Sequence, residues 1–214
     1  MVTKRTGSII FLLALLTAVI IGIWIVKIIT GNVPYVDQWT RDLVDTLGVS
    51  TIYAPFRWIT NLGSEPFLLP FTIIVAVILW GLFRDWLPAL FFAGGTLAAH
   101  MLNMLLKHLV NRDRPSILIA ANAEGHSFPS GHAMIPMVCY GLLAYFVSKK
   151  IHSNKVKFGF QFFFALLVFL IGISRFVINV HYLTDVAAGF FIGFICLFGL
   201  IYLYEWIQKR RSPS

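Results

Sequence analysis

Charged residues are scarce in this sequence of 214 residues: aspartate, glutamate, lysine and arginine together make up 12% of it. A soluble domain carries about a quarter charged residues, so this composition excludes an ordinary soluble domain. Hydrophobic residues instead make up 58% of the chain, and the mean hydropathy is +0.82. These values predict an integral membrane protein.

Cysteine is also rare, because the chain has only Cys139 and Cys196, each inside an apolar run. Two separated cysteines indicate neither a disulfide framework nor a cysteine-based metal cluster. The net charge is +8, yet the basic residues lie at the ends of apolar runs and form no stripe. We therefore expect them to set topology and to bind an anionic substrate, and we expect no nucleic-acid partner.

Six apolar runs have about the length that an α-helix needs to cross ~30 Å of hydrocarbon. They cover approximately residues 8–30, 66–83, 86–106, 131–148, 158–178 and 184–206. The first run is too long for the core of a signal peptide, so it is interpreted as a retained signal anchor. The predicted fold is an all-α bundle of six transmembrane helices that forms a single membrane domain over residues 1–214.

Lysine and arginine are distributed unevenly around these runs. An even number of spans places both termini on one side of the membrane, and that side carries more basic residues, including Lys149 and Lys150. The positive-inside rule then predicts cytoplasmic termini, with the loops 31–65, 107–130 and 174–183 on the opposite side.

The first of these loops contains an amphipathic stretch. Its apolar residues share one face of a helix: Trp39, Leu43, Val44 and Leu47. Its charged residues lie on the opposite face: Asp37, Arg41, Asp42 and Asp45. The pattern predicts a short helix in the membrane interface, and a loop packed over the bundle is the alternative.

Residues suited to chemistry collect at the same end of the spans, in three clusters. They are Lys107 with Arg114, the run Pro129-Ser130-Gly131-His132, and Arg175 with His181 and Asp185. Ionisable groups near hydrocarbon are costly and usually face a cavity or a partner. The clusters are therefore predicted to form one shared polar site.

The predicted site favours an anion. Its cations, Lys107, Arg114 and Arg175, outnumber its one carboxylate. An arginine guanidinium can donate two parallel hydrogen bonds to two phosphate oxygens, and a lysine ammonium adds a point charge. Ser130 and Gly131 begin a span, where free backbone N–H groups and the helix dipole favour an oxyanion. The predicted ligand is phosphate or a similar oxyanion.

Two histidines can divide the chemistry. If the chain is helical here, Asp185 lies one turn from His181 and can accept a proton from one imidazole nitrogen, which leaves the other as a nucleophile. His132 can protonate a departing alkoxide. For His181 and Asp185 taken alone, a pair that only stabilises a helix end is the alternative. This chemistry requires no metal ion and no other cofactor.

The three clusters match the motifs of a known family. Lys-x6-Arg-Pro, Pro-Ser-Gly-His and Ser-Arg-x5-His-x3-Asp resemble those of the type 2 phosphatidic acid phosphatase superfamily, and the layout is similar to its membrane branch, the B-type bacterial phosphatidylglycerophosphatases included. The resemblance implies that the phosphate is bound by Lys107, Arg114, Ser130, Gly131 and Arg175. It also implies His181 as nucleophile, Asp185 as its partner and His132 as general acid.

The resemblance implies a metal-independent lipid phosphatase of the plasma membrane that works through a phosphohistidine on the extracytoplasmic side. We expect phosphatidylglycerol phosphate as the substrate, with undecaprenyl diphosphate as the alternative and no obligate protein partner. A transporter of an anionic solute is a further alternative, but it would place ionisable groups at several depths. Here they are confined to one edge of the spans.

Other polar residues lie beside these motifs. His100 and Asn103 form a stripe with Lys107, either as a seam between helices or as support for the lysine. Most polar residues of the following loop are expected to be solvated: Asn111, Arg112, Asp113, Glu124 and His126. Of these, Glu124 and His126 are candidates for contact with a headgroup.

Overall fold

The computed structural model describes residues 4–48, 53–115 and 125–211, and all regular structure in these ranges is helical. The long helices are α1 (Lys4–Ile29), α5 (Glu65–Phe83), α6 (Trp86–Val110), α7 (Gly131–Ser148), α8 (Asn154–Val177) and α9 (Leu183–Arg211). These six helices are long and apolar enough to cross a membrane. The prediction of an all-α bundle with six spans is confirmed.

The turns between spans follow from the residues at the helix ends. Helix α5 ends because Arg84 adopts a left-handed conformation with φ of 52°, and the Asp85 carboxylate then caps α6 by accepting the Leu87 N–H at 3.1 Å. At the other end of α6, Asn111 has φ of 50°, a conformation that asparagine tolerates better than most residues. The polar loop after Asn111 therefore leaves the helix abruptly.

Helix α7 is the centre of the bundle. Within its span 56% of the residues are buried, against 28% in α6 and 6% in α1. Two glycines of α9 allow a close approach: a Cβ at Gly189 would lie 2.6 Å from the Ser130 carbonyl oxygen, and one at Gly193 would lie 2.8 Å from that of Met134. The first turn of α7 is thus pressed against the first turns of α9.

The connection between α1 and α5 folds into short helices: α2 (Tyr35–Trp39), α3 (Arg41–Gly48), α4 (Tyr53–Ile59) and a 3-10 turn, Thr60–Gly63. A short helix was predicted here, but the predicted division into faces is wrong. Thr40 separates α2 from α3, so Trp39 is 76% exposed while Val44 is buried. Asp37 is buried rather than solvated, because it pairs with a buried arginine described below. The side chains of Asp45 and Leu47 lie outside the described residues.

Ion pairs link side chains at the end of the bundle where α1 begins and α9 ends. The Lys149 ammonium lies 2.7 Å from the Glu205 carboxylate, and the Arg211 guanidinium lies 3.1 Å from that of Asp85. Both pairs are partly exposed, so each contributes little stability. The opposite end, where α6 and α8 finish and α7 and α9 begin, is called the site end below.

Candidate active site

The three predicted clusters meet at the site end of the bundle. Backbone hydrogen bonds hold them together: the Ser130 N–H donates to the Asp185 carbonyl oxygen at 3.0 Å, which joins the start of α7 to the start of α9. The N–H groups of Val180 and His181 donate to the Arg175 carbonyl oxygen at 3.1 and 3.2 Å. The loop between α8 and α9 is thereby folded back over the end of α8.

The imidazole of His181 contacts a guanidinium. Nη1 of Arg114 lies 3.2 Å from Nε2 of His181, and it also donates to the Val180 carbonyl oxygen at 2.8 Å. A guanidinium can only donate, so Nε2 must accept, and a neutral ring then carries its proton on Nδ1. The lone pair of Nε2 is therefore aimed at the cation of Arg114.

The other ring nitrogen faces Asp185. Nδ1 of His181 lies 3.5 Å from Oδ2 of Asp185, which is longer than a hydrogen bond, and it makes none within the described residues. The same oxygen accepts the Tyr182 N–H at 2.9 Å. The predicted spacing of the pair is present, but the predicted hydrogen bond between the two side chains is not formed.

Asp185 is held by a residue for which the sequence predicts no role in the site. Arg112 was expected to be solvated, and this is wrong because its side chain is only 7% exposed. Its Nη1 donates to Oδ1 of Asp185 at 2.6 Å and to Oγ1 of Thr184 at 2.9 Å, while Nη2 donates to Oδ2 of Asp37 at 2.7 Å. One available signal was that Asp185, in an apolar run, needs a cationic partner.

Buried donor atoms at the site end lack a hydrogen-bond partner among the described residues. Arg175 is 3% exposed, and although its Nη1 donates to Oγ1 of Thr60 at 3.1 Å, its Nε has no partner among the described residues. The Ser130 hydroxyl is fully buried, and it also has no hydrogen-bond partner among the described residues. Buried polar groups are normally hydrogen-bonded, so these atoms are suited to an additional ligand.

The first turn of α7 is fixed by Asn103. Its Nδ2 donates to the Pro129 carbonyl oxygen at 3.1 Å, and its Oδ1 lies 2.9 Å from the position that a Cβ on Gly131 would occupy. Asn103 therefore forms an interhelical seam, one of the two predicted alternatives. His100, two turns away from Lys107, instead lines a cavity.

That cavity has a volume of about 850 Å³ and lies between α5, α6 and α7. Its wall at the site end is polar: Lys107, His108, His126 and His132. Deeper in the span the wall is mainly apolar, with Leu68, Leu69, Ile73, Ala93 and Leu97 beside Thr72, Thr96 and His100. Because Leu69, Ile73 and Leu97 are also more than half exposed, the cavity opens sideways between α5 and α6.

The histidines of this wall occupy different settings. The ring of His132 packs closely against the backbone at Gly63, where an added Cβ would lie 3.2 Å from its Cδ2. The ring centroids of His108 and His126 lie 6.2 Å apart. Glu124, the other candidate for a headgroup contact, lies outside the described residues.

Electrostatics keep His181 neutral. Burial lowers its pKa well below the usual range, and the charges of Arg114, Arg175 and Lys107 lower it further. Burial also lowers the pKa of Arg114, although the negative charge of Asp185 opposes this effect. At neutral pH the imidazole is therefore in its unprotonated, nucleophilic form.

Within the described residues, no three side chains of histidine, cysteine, aspartate or glutamate are grouped so that they could hold a metal ion. The predicted lack of a metal requirement stays a prediction.

Known proteins resemble this chain in sequence. Phosphatidylglycerophosphatase B of Bacillus subtilis is 34% identical over 158 residues, which are 72% of this chain and 76% of that protein. Dolichyldiphosphatase of Saccharomyces cerevisiae is 26% identical over 160 residues, 72% of this chain and 66% of that enzyme.

Solved structures resemble it in fold. The crystal structure of a transmembrane PAP2 type phosphatidylglycerolphosphate phosphatase from Bacillus subtilis has a TM-score of 0.77 at 26% identity, over 88% of this chain and 96% of that one. LpxE of Aquifex aeolicus has a TM-score of 0.57 at 24% identity, over 75% and 93% of the two chains, and supports the fold alone.

The family model of the PAP2 superfamily matches residues 88–210, more than half of the chain, and this range contains all three clusters. The chain therefore belongs to the PAP2 superfamily, as a multi-pass membrane hydrolase that acts on phosphate esters.

Proposed function

We propose that this lipid phosphate phosphatase hydrolyses phosphatidylglycerol phosphate to phosphatidylglycerol and phosphate through a phosphohistidine at His181. The observation that carries the proposal is the contact between Nε2 of His181 and the guanidinium of Arg114. A phosphate held by this arginine would meet the lone pair of Nε2 directly. The nucleophile and the anion site are therefore adjacent.

The phosphate would be bound by donors from the ends of α6, α7 and α8 and from the loop that follows α6. Arg114 can exchange its contact with Nε2 for a phosphate oxygen, and Lys107 adds a charge from the end of α6. Nε of Arg175 and the hydroxyl of Ser130 are buried donors without a partner among the described residues. Gly131 is the first residue of α7, where backbone N–H groups favour an oxyanion. Because glycine has no side chain, a phosphate can approach this backbone closely.

In the first step, Nε2 of His181 attacks phosphorus and forms an N–P bond while the P–O bond to the lipid breaks. His132 donates a proton to the departing oxygen. The ring of His181 becomes positively charged, and Asp185 faces that charge through Nδ1.

In the second step, a water molecule gives a proton to His132 and its oxygen attacks phosphorus. The N–P bond breaks, inorganic phosphate leaves, and His181 returns to its neutral form. One water is consumed for each ester bond, and neither step requires a metal ion.

The cavity suits a lipid whose phosphate lies at the site end. Its apolar wall opens between α5 and α6, so the acyl chains can stay in hydrocarbon while the headgroup reaches Lys107 and His132. The proposed location is the plasma membrane, with the site on its extracytoplasmic side. The greater number of basic residues near the termini supports this orientation, because it predicts cytoplasmic termini.

Phosphatidylglycerol phosphate is proposed because the Bacillus subtilis relatives are named for that activity and share sequence and fold with this chain. Undecaprenyl diphosphate is the second candidate. The similarity to a yeast dolichyldiphosphatase supports it, since that name describes the diphosphate of a polyprenol.

The test is phosphate release by the purified protein in detergent with EDTA present, from phosphatidylglycerol phosphate, undecaprenyl diphosphate and phosphatidic acid. We expect the highest kcat/KM for phosphatidylglycerol phosphate and a loss of about 10³-fold or more in His181→Ala. His152→Ala, at an exposed residue between α7 and α8, is the matched control and should retain activity.

Each part of the proposal can fail separately. A higher kcat/KM for undecaprenyl diphosphate would replace the substrate. Loss of activity in EDTA, or full activity in His181→Ala, would overturn the mechanism.

A further inference from the structure

We propose that Asp37 and Arg112 are positioning residues for catalysis, which hold Asp185 in place and keep its negative charge available to His181. Asp37 lies on α2, outside the three motifs, and Arg112 lies between Lys107 and Arg114 without being part of the motif that they define. The inference rests on the proposed function, because it assigns both residues to the histidine chemistry described above.

A closed hydrogen-bond network connects the two residues to the start of α9. Oδ2 of Asp37 accepts from Nη2 of Arg112 at 2.7 Å and from the Thr184 hydroxyl at 2.6 Å, and its Oδ1 accepts the Thr184 N–H at 3.0 Å. Arg112 in turn donates to Oδ1 of Asp185 at 2.6 Å. Its guanidinium carbon lies 3.8 Å from the ring centroid of Tyr182, so one face is also covered.

All members of this network are buried, with Asp37 at 3%, Arg112 at 7% and both Thr184 and Asp185 at 0% exposure. Each carboxylate oxygen and both terminal nitrogens of the guanidinium have at least one partner. Buried charges persist only when they are paired in this way. The orientation of the Asp185 carboxylate is therefore fixed before any substrate binds.

The charges in the network do not cancel. Two carboxylates share one guanidinium, so the group carries one excess negative charge when both carboxylates are ionised. The nearest group that can become positive during the reaction is His181, whose Nδ1 lies 3.5 Å from Oδ2 of Asp185. That imidazole gains a positive charge when Nε2 bonds to phosphorus, so the excess negative charge stabilises the phosphohistidine.

Asp37 determines whether this excess exists. Without its charge, Arg112 and Asp185 form a neutral pair, and the electrostatic support for His181 falls. Because no atom of Asp37 needs to touch the phosphate, its loss should slow the chemical step without weakening substrate binding. A residue that only fastens α2 to α9 would instead lower stability and leave the rate of folded enzyme unchanged.

The test compares Asp37→Asn, which keeps the shape of the side chain, with the wild type in hydrolysis of phosphatidylglycerol phosphate. We expect kcat to fall about tenfold or more while KM changes by less than about twofold. Asp113→Asn removes the same charge from an exposed residue next to Arg112, and it should retain the wild-type kcat.

A double-mutant cycle separates positioning from a structural role. In an Asp185→Asn background the carboxylate on which Asp37 acts is gone, so adding Asp37→Asn should cause little further loss. Arg112→Lys provides a second variant if Asp37→Asn does not fold, because the single ammonium nitrogen of lysine does not reproduce the two separate donors, Nη1 and Nη2, that bind the two carboxylates. It should also lower kcat and show the same non-additivity with Asp185→Asn.

Three results would overturn the inference. One is a kcat within about twofold of the wild type in both Asp37→Asn and Arg112→Lys. A second is an equal loss from Asp37→Asn in the wild-type and Asp185→Asn backgrounds. If the wild type hydrolyses no lipid phosphate, the proposed function fails as well, whereas the first two results leave that function intact.

Discussion

At the scale of single residues, the chemistry depends on which nitrogen of His181 carries a proton. The donor from Arg114 occupies Nε2, so the proton of the neutral ring belongs on Nδ1, facing Asp185. A ring turned the other way would direct its N–H at a cation. The arginine therefore selects the nucleophilic nitrogen in addition to its proposed role in binding phosphate.

The proposed acid role of His132 predicts a dependence on the leaving group. In His132→Ala, release of an alkoxide from phosphatidylglycerol phosphate should slow by about 10²-fold or more, because no group then protonates the departing oxygen. With a diphosphate substrate the leaving group is itself a phosphate, which needs less protonation than an alkoxide does. The measurement is single-turnover formation of the phosphoenzyme with each substrate, and equal losses for both would contradict the acid role.

At the scale of helices, the site depends on the close approach of α7 and α9. Gly189→Ala would place a Cβ 2.6 Å from the Ser130 carbonyl oxygen and 2.9 Å from the Ala133 Cβ, so the start of α7 must move. We expect a loss of about 1–3 kcal/mol in the free energy of unfolding, together with lower activity.

Gly199→Ala is the matched control on the same helix, because an added Cβ there has no neighbour within 4 Å. It should leave stability unchanged or raise it slightly, since alanine favours a helix over glycine. Chemical unfolding in detergent measures both variants. Equal effects of the two substitutions would contradict the packing described here.

The gap between α5 and α6 makes a separate prediction about lipid access. Ala93→Trp would fill the apolar part of the cavity, while Ala98→Trp adds the same ring at an exposed position of the same helix. We expect Ala93→Trp to lower kcat/KM for a long-chain substrate about tenfold or more, with a smaller effect on a short soluble phosphate monoester.

Ala98→Trp should be close to the wild type with both substrates. Equal losses for the long-chain and the soluble substrate in Ala93→Trp would show damage to the site itself, and would contradict access through this cavity.

The sequence predicts some elements better than others, for physical reasons. The six spans follow from hydropathy because the bilayer requires a long apolar helix wherever the chain crosses it. The three motifs are local patterns, so their positions at helix ends could be predicted as well. The faces of α2 and α3 could not, because Thr40 interrupts a helix that the amphipathic pattern predicts as continuous.

Asp37 and Arg112 show the limit of local patterns most clearly. They are 75 residues apart and are joined only by the tertiary fold. Each is polar within a polar segment, a pattern that favours exposure. Asp185, in an apolar run, indicates that a cationic partner is needed, but the sequence does not indicate which residue supplies it. The predicted hydrogen bond between His181 and Asp185 is not formed for a related reason: Arg112 and the Tyr182 N–H bind the Asp185 carboxylate and determine where it lies.

At the scale of the whole molecule, α1 begins and α9 ends at the end of the bundle opposite the candidate site. The uneven distribution of lysine and arginine predicts that this end is cytoplasmic. A reporter fused after Arg211 should therefore be active if it is of a type that works in the cytoplasm, and inactive if it is of a type that works only outside the cell. A reporter that behaves as external would reverse the topology and place the proposed phosphatase site inside the cell.

The central claim is that His181 carries the phosphoryl group during turnover. The direct measurement uses phosphatidylglycerol phosphate labelled in its terminal phosphate, an alkaline quench that preserves phosphohistidine, and mapping of the labelled peptide. We expect the label on His181, absent in His181→Ala and present in His152→Ala. Label on a different residue, or phosphate release in a single turnover with no labelled enzyme, would contradict the account.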